Sequence, residues 1–396
     1  MRWSRRLLLA LACVTAGCSQ QHGAGTGKVE LMYQTIETLP EQQAIHRAIV
    51  GEFERTHPNI HVNVVYDTSK WQKLNVQLAG GAAPDVFYFI VDRLPALARR
   101  GVVRDLSESF APHAAEFFAE VVEPCRIDGA LMLMPVHFST DVLFFNRAWF
   151  AGESTPADWK AFAETAPRLA RQRQLPFATL LPRPLLLMQS FGAVVFSNNA
   201  CMLNSPESVS ALEYYRSLVT SNVAPTAATM TEMEAFDGVN LFRNQRIALL
   251  VGRTYMLPEF DKITEFRWDV APVPQGKLRW SRLSVGGNCI WRGTKHPREA
   301  WEFVEFYSTE GAKLAASSRN AIPALKSAAE AAKFPPVMLE ALKYSRLDNP
   351  WGYAFWDEFN QKALVESTEA VALGHTTSGN ALRQIEALGN GLIARR

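Results

Sequence analysis

The sequence predicts an α/β protein built around a parallel sheet. Short apolar or β-branched runs alternate with segments whose apolar residues recur at helical spacing. In chain order, these alternating segments are 29–33, 41–55, 60–66, 70–78, 86–90 and 94–100. Strands that alternate with helices in this way form a parallel sheet with right-handed crossovers. The hydrophobic fraction of 48% and the charged fraction of 20% are those of an ordinary globular protein.

The individual patterns support this order. Ile45, Ile49 and Phe53 recur on one face of the predicted helix 41–55. Residues 86–90 form a continuous apolar run, which is typical of a parallel strand covered on both faces. The first part of the chain therefore predicts three strands, each followed by a helix.

The remainder of the chain is mostly helical, with a few further strands. Its predicted helices are 158–173, 206–219, 297–308, 335–345, 359–373 and 378–387. Its predicted strands are 247–251, 268–272 and 288–291. Ser205 is a good helix N-cap, and Pro206 suits the first helical position. From residue 29 onward, the chain is long enough for two domains.

The N-terminus predicts export and a lipid anchor. Arg2, Arg5 and Arg6 precede an apolar run at 7–14 that is shorter than the roughly 20 residues needed to span a bilayer. Small residues then lead to Cys18, in a pattern that resembles the lipobox of bacterial lipoproteins. The alternative is an ordinary signal peptide with an incidental cysteine.

These features place the folded part of the protein outside the cytoplasm. We expect a lipoprotein signal peptide at 1–17 and a flexible, Gly-rich tether at 18–28, with the lipid on Cys18 holding a monomer to the bacterial cell membrane, in the periplasm or on the outer face. The signal carries three Arg and no acidic residue, so its removal brings the formal net charge of +2 close to zero. That balance argues against a nucleic-acid partner.

The cysteine and motif content predicts neither a cofactor nor a catalytic centre. Cys125, Cys201 and Cys289 are widely spaced and form no Cys-x-x-Cys pair, so we expect no zinc site and no disulfide framework. Whether any two of them pair remains open. The sequence also contains no Gly-x-Ser-x-Gly, no His-Glu-x-x-His and no Gly-x-Gly-x-x-Gly motif. We therefore expect a protein that is not an enzyme and binds no metal.

An ordered set of short motifs covers nearly all of the mature chain. They lie at 53–54, 58–62, 79–86, 97–98, 101–103, 128–129, 134–135, 140–147, 156–159, 204–207, 271–274, 286–288, 300–304 and 322–324. Each is weak alone, but together and in this order they resemble the family 1 extracellular solute-binding proteins. These are the carbohydrate-binding subunits of ABC importers and are related to maltose-binding protein.

The resemblance implies a periplasmic-binding-protein-like fold of type II. Two α/β lobes would be joined by a hinge, with the ligand cleft between them. The first lobe would hold 29–137 and 287–324, and the second would hold 138–286 and 325–396. Closure of the lobes would trap a carbohydrate ligand, and the permease subunits of an ABC transporter would receive it.

The sheet pattern itself selects five candidate ligand-binding residues. Crevices in α/β sheets open at the carboxyl ends of the strands, which is where Gln34, Glu37, Phe89, Asp92 and Arg93 lie. The last three fall on a sugar-contacting pattern of the family, with Phe in place of Trp. Asp92 and Arg93 can each hold a pair of hydroxyls. A helix cap with a solvated arginine is the alternative for the Asp92–Arg93 pair.

The resemblance adds further candidates at the hinge and in aromatic segments. These are Trp71, Ser139, Thr140, Asp141, Tyr255, Gly287, Asn288, Trp351, Tyr353 and Trp356. Aromatic rings stack on the apolar faces of sugars, and glycines allow a ligand to approach the backbone closely. Core packing is the alternative for Trp71, Trp351 and Trp356, and a backbone cap is the alternative for Asp141.

Three functions remain open from the sequence. The first is a binding lipoprotein that delivers a sugar or oligosaccharide to an ABC permease. The second keeps the fold but binds glycerol phosphate, a polyamine or a metal chelate. The third is a secreted carbohydrate-active hydrolase, which activity on chromogenic glycosides would reveal. The ten tryptophans favour a sugar.

Overall fold

The structure is a computed structural model. It describes residues 27–69, 71–150, 152–232, 238–349 and 352–395. The predicted signal peptide, most of the tether, the lipidation site Cys18 and the candidate Trp351 lie outside the described residues.

Among the described residues, nine strands build the two main sheets. In chain order they are β1 (Val29–Thr35), β2 (Ile60–Tyr66), β3 (Val86–Ile90), β4 (Met134–Ser139), β5 (Asp141–Asn146), β6 (Leu249–Arg253), β7 (Trp268–Ala271), β8 (Ser284–Ile290) and β9 (Ile322–Pro323). Three further pairs of short strands are Arg126–Ile127 with Ala130–Leu131, Phe196–Ser197 with Ala200–Cys201, and Ser281–Arg282 with Ser345–Arg346.

Helices cover both sheets. Those of five or more residues are α1 (Pro40–Thr56), α2 (Gln72–Ala79), α3 (Leu94–Arg99), α4 (Trp159–Arg173), α5 (Pro184–Ser190), α6 (Pro206–Thr220), α7 (Ala227–Glu232), α8 (Gly238–Arg243), α9 (Pro297–Ser308), α10 (Glu310–Ala315), α11 (Lys326–Ala331), α12 (Pro336–Glu340), α13 (Glu366–Ala372) and α14 (Ser378–Ala394). Shorter α-helical turns are Ser107–Phe110, Ala119–Val122, Leu257–Phe260 and Trp356–Glu358, and a π-helical segment spans Phe359–Val365.

The first lobe is built on a six-stranded sheet in the order β9-β4-β8-β3-β1-β2. Strand β1 runs parallel to β2 and to β3, which confirms the predicted parallel arrangement of the first three strands. Strand β8 is antiparallel to both β3 and β4, so the sheet is mixed. The carboxyl ends of β1, β3 and β4 therefore lie along one edge.

The second lobe is built on the three-stranded antiparallel sheet β6-β5-β7. Helix α4 begins at Asp158, whose carboxylate accepts a hydrogen bond from the Ala161 amide at 2.7 Å. Helix α5 lies outside the predicted helices. It begins at Pro184, which occupies the first helical position, where its missing N–H costs no hydrogen bond.

The chain crosses between the lobes directly after β4 and again between β7 and β8. Ser281 Oγ accepts from the Asp141 amide at 2.9 Å and donates to the Asp141 carbonyl at 3.1 Å, so the two crossings are joined. Thr140 Oγ1 donates to the Met338 carbonyl at 3.0 Å. Two α/β lobes joined by a hinge are thus the fold that the sequence predicts.

Aromatic side chains pack α1 against α9 in the first lobe. Phe53 on α1 contacts Phe303 on α9 edge to face, with ring centroids 5.1 Å apart, and both rings are fully buried. Cys125, Cys201 and Cys289 are free and buried, as predicted for small hydrophobic residues. Among the residues that the structure describes, none of the helices has the length and apolarity needed to cross a lipid bilayer.

Candidate functional site

A cavity of about 160 Å³ lies where the two lobes meet, and we call it the cleft cavity. Six of the predicted ligand-binding residues line it. They are Trp71, Phe89, Asp92 and Arg93 from the first lobe and Tyr353 and Trp356 from the second. Because these residues come from distant parts of the chain, the interlobe contact is what assembles the site.

The wall from the first lobe is aromatic, with a positive charge above it. The Trp71 ring meets the Phe89 ring edge to face, with centroids 5.6 Å apart. The Arg93 guanidinium lies over the Trp71 ring, 4.8 Å from its centroid. Trp71 adopts a left-handed conformation with a φ of 73°, which is uncommon and unfavourable for a bulky residue. Trp71 immediately precedes α2, and its side chain lines the cavity.

The opposite wall of the cavity is formed by residues from the segment 352–357 of the second lobe. Tyr353 and Trp356 are 5% and 7% exposed, so both rings pack while lining the cavity. The Arg93 guanidinium pairs with the Asp357 carboxylate across the two lobes. Arg99 Nη2 donates to the Gly352 carbonyl at 2.6 Å. These polar contacts hold the lobes together beside the cavity.

A buried network of charges continues from Asp92 into the hinge. Arg282 Nη2 donates to Asp92 Oδ2 at 2.7 Å, and Arg282 Nε lies 2.9 Å from Asp348 Oδ2. Arg183 also pairs with Asp348. Burial raises the pKa of Asp92, and the Arg282 guanidinium opposes that rise.

The network has a second branch at Asp141. Arg253 Nε donates to Asp141 Oδ1 at 3.0 Å, and the Arg282 amide lies 3.4 Å from Asp141 Oδ2. Burial lowers the pKa of Arg253, while the Asp141 carboxylate opposes that change. Asp141, predicted as a ligand contact, therefore holds two arginine residues at the hinge.

Sequence reasoning missed four members of this network, namely Arg183, Arg253, Arg282 and Asp348. Arg253 ends β6, so the strand-end rule that selected Asp92 also applies to it. Arg282 ends the two-residue strand Ser281–Arg282, and Asp348 follows its partner strand Ser345–Arg346. Strands this short have no periodic pattern that marks a site.

Two buried polar atoms of cavity-lining residues, Asp92 Oδ1 and Trp71 Nε1, have no hydrogen-bond partner among the described residues. Asp348 Oδ1 and Arg183 Nη1, in the charge network beyond the cavity, have no such partner either. Buried polar groups are normally paired, so one acceptor and one donor at the cavity are available to a polar ligand. A polyol satisfies both kinds, since each hydroxyl donates one hydrogen bond and accepts others.

The other predicted residues lie away from the cleft cavity. Gln34 is buried and donates to Asp67 Oδ2 at 2.9 Å. Tyr255 is 52% exposed on the turn after β6. Ser139 and Thr140 lie at the crossing between the lobes, and Glu37 lines a different cavity.

Gly287 and Asn288 lie inside strand β8. A Cβ on Gly287 would come within 2.1 Å of the Met134 carbonyl oxygen, so this glycine permits close strand packing. Asn288 is fully buried. Packing within the sheet therefore requires glycine at position 287, and Gly287 and Asn288 are not among the described residues that line the cleft cavity.

The site has no features of a metal centre. In the described part of the chain, no three His, Cys, Asp or Glu side chains are grouped so that they could hold a metal ion. The chemistry available at the cleft cavity is aromatic contact together with charge-assisted hydrogen bonding.

Comparisons with known proteins identify the family of the chain. Residues 48–338 match the family described as bacterial extracellular solute-binding protein. A Streptomyces antibioticus protein named an uncharacterized lipoprotein in the oleD 5' region is 26% identical over 332 residues, which are 76% of this chain and 72% of that protein.

Two solved structures share the fold. One is the ABC substrate-binding protein Lmo0181 of Listeria monocytogenes in complex with cycloalternan, with a TM-score of 0.79, 23% identity, and coverage of 93% of this chain and 99% of that one. The other is the sugar-binding protein MalE of Xanthomonas citri, with a TM-score of 0.80, 18% identity, and coverage of 93% and 98%.

Proposed function

The chain belongs to the bacterial extracellular solute-binding proteins, and we propose that it captures a sugar or oligosaccharide between its two lobes and delivers it to the permease of an ABC importer. The cleft cavity supports the proposal most directly. Trp71 and Phe89 from one lobe face Tyr353 and Trp356 from the other, and charged side chains lie between them.

This combination suits a sugar better than an apolar or a purely anionic ligand. A sugar ring offers C–H faces to the aromatic walls and hydroxyls to the polar groups. The unpaired atoms Asp92 Oδ1 and Trp71 Nε1 need a partner that both donates and accepts. Arg93 at the cavity and Arg282 behind it already pair with carboxylates, so among the described residues Arg100 is the one cavity-lining cation without a carboxylate partner.

The two lobes would close around the bound ligand. We assign 29–137 and 287–324 to the first lobe, extended by the remaining residues of β4 and β8 and by α11, which packs against α10 and β9. The remainder forms the second lobe. A sugar that contacts both walls stabilises the closed arrangement relative to the open one, because it makes both sets of contacts only there. The permease would recognise the closed form.

The proposal includes an anchored location outside the cytoplasm. Cys18 follows an apolar run and small residues, and the similar Streptomyces antibioticus protein is named a lipoprotein. A diacylated cysteine followed by a polar tether would keep the lobes near the permease.

A glycan library screened by thermal shift tests the proposal. A sugar at about 100 times its dissociation constant adds about 2.7 kcal/mol to native stability, so its melting curve should move clearly upward. Melting curves that stay flat across mono- and oligosaccharides, but move with glycerol phosphate or a polyamine, would contradict a sugar cargo. Release of chromophore from aryl glycosides would contradict a binding protein without catalysis.

A further inference from the structure

A second cavity lies inside the first lobe, beneath α1, and we call it the lobe-1 cavity. Its volume is about 70 Å³. Tyr88 lines it, whereas the next residue, Phe89, lines the cleft cavity. Successive residues of a strand point to opposite faces, so the six-stranded sheet separates the two cavities. A water needs roughly 10–15 Å³ on this measure, so the space holds about five to seven atoms of that size.

Aromatic and imidazole rings form much of the wall. Tyr88 Oη lies 3.2 Å from His137 Nε2, and the two rings stack with centroids 5.8 Å apart. Tyr307 Oη lies 3.1 Å from His46 Nδ1. Gly286 makes the first pairing possible, because a Cβ there would come within 2.1 Å of Tyr88 Oη and 2.8 Å of His137 Cε1. The short contacts between these rings, and the space that Gly286 leaves for Tyr88 and His137, therefore hold the rings in position.

One carboxylate faces this ring-lined space. Glu37 lines the cavity, and within the described ranges no Lys, Arg or His nitrogen lies within 4 Å of its carboxylate. Burial raises the pKa of Glu37, as expected for a carboxylate without a cationic partner. Burial raises the pKa of Tyr88 and of Tyr307, and the Glu37 charge adds to both rises.

The two histidines do not supply the missing positive charge. Burial lowers the pKa of His46 and of His137 to about 4, so both are neutral at pH 7. The remaining lining residues are uncharged. A cavity with π-electron-rich walls and one negative charge attracts a cation of low hydration. Metal ions are poor candidates, because the described residues hold no cluster of three metal-ligating side chains.

We propose that the lobe-1 cavity binds a small organic cation, with its ammonium group at the Glu37 carboxylate and its carbon atoms against Tyr88, Tyr307 and the apolar side of α1. Ile45 and Ile49 provide that apolar side of α1, and Ala315 of α10 lines the same cavity. The lobe-1 cavity differs from the cleft cavity in three respects. It would bind a cation rather than a sugar, it lies within one lobe rather than between two, and it lies on the opposite face of the six-stranded sheet.

Tetramethylammonium chloride is the probe, because its five heavy atoms match the space. The wild-type protein should show a saturable rise in melting temperature with this salt, relative to sodium chloride at equal ionic strength. Neutral tert-butanol, of the same size, should give no saturable rise. Isothermal titration calorimetry then gives the dissociation constant for each variant.

Three variants locate the binding. Glu37→Gln should weaken tetramethylammonium affinity about tenfold or more, and Ala315→Leu should abolish binding by filling the space. Glu41→Gln removes an exposed charge from the first turn of α1, four residues after Glu37, and should leave affinity unchanged. Absence of saturable binding in the wild type overturns the proposal. Wild-type affinity in Glu37→Gln, with its melting curve without ligand preserved, also overturns it.

Discussion

Arg282 joins the hinge to the cleft by pairing with Asp92, its Nη2 lying 2.7 Å from Asp92 Oδ2. The same guanidinium lies 2.9 Å from Asp348, and the Arg282 amide lies 3.4 Å from Asp141. A ligand hydroxyl that bonds to Asp92 therefore contacts a group already connected to the crossing segments. Ligand binding at Asp92 and the relative position of the two lobes therefore depend on the same set of charged groups.

Asp92→Ala is expected to weaken sugar affinity about tenfold or more, since a charge-assisted hydrogen bond contributes about 1.5–3 kcal/mol. It should also lower the free energy of unfolding by about 1–3 kcal/mol, because Asp92 is 7% exposed and Arg282 would lose one of its carboxylates. Calorimetry and urea unfolding measure the two effects. Unchanged affinity with reduced stability would show that Asp92 is purely structural.

Trp356→Phe is expected to weaken sugar binding while the fold is kept. The indole lines the cleft cavity and also contacts Phe196 and Phe359, so truncation to Ala would create a void as well. Phe303→Ala is the matched control. It removes a fully buried ring far from the cavity and should cost about 3–5 kcal/mol, with normal affinity in the folded fraction. Equal affinity in Trp356→Phe and wild type would place the stacking surface elsewhere.

Asp357→Ala is expected to shift the ligand-free protein toward an open arrangement, because it removes the ion pair with Arg93 across the lobes. Small-angle scattering should show a larger radius of gyration for this variant without sugar and the wild-type value with saturating sugar. Glu358→Ala is the control, since Glu358 pairs with Lys362 of the same segment. A similar expansion in both variants would refute a role for the interlobe pair.

The His46 imidazole is expected to make stability depend on pH between about 6.5 and 4. Its pKa falls from the ordinary 6.5 to about 4 in the folded protein, so the unfolded chain binds more protons in that window. Stability contributed by neutral His46 is complete above pH 6.5 and is lost as the pH falls toward 4. Urea unfolding at pH 7 and pH 5 should show a smaller difference in His46→Gln than in wild type. The exposed His375→Gln serves as control, and a reduced difference there too would contradict this assignment.

Cys18→Ser is expected to release the protein from the membrane, because no thiol would remain at the site of acylation. Detergent phase separation of the wild type should place it in the detergent phase and the variant in the aqueous phase. A wild-type protein that partitions fully into the aqueous phase would refute lipid anchoring.

The fold was largely readable from the sequence because its first strands are strongly patterned. Strands 60–66 and 86–90 were predicted with the observed bounds, and their parallel pairing followed from the intervening helices. The predicted helix 359–373 is instead a π-helical segment followed by α13. Apolar spacing alone does not distinguish these backbones, since the choice depends on packing.

The cleft cavity was predictable where aromatic and charged residues follow a strand end, as with Phe89, Asp92 and Arg93. The hinge network was not, because Arg282 and Asp348 become partners only through contacts between segments distant in sequence. Glu37 shows the limit of the strand-end rule. It follows β1 as expected, but its side chain lines the lobe-1 cavity, on the other face of the sheet.

The hydroxyl of Ser281 bonds to both the amide and the carbonyl of Asp141, at 2.9 and 3.1 Å. Two strands tied at one peptide unit cannot twist independently of each other. The distance between the two crossing segments therefore changes least at this point when the lobes move, and most at the rim of the cleft farthest from it. Groups at that rim, rather than groups at the hinge, are the ones whose separation reports whether the cleft is open or closed.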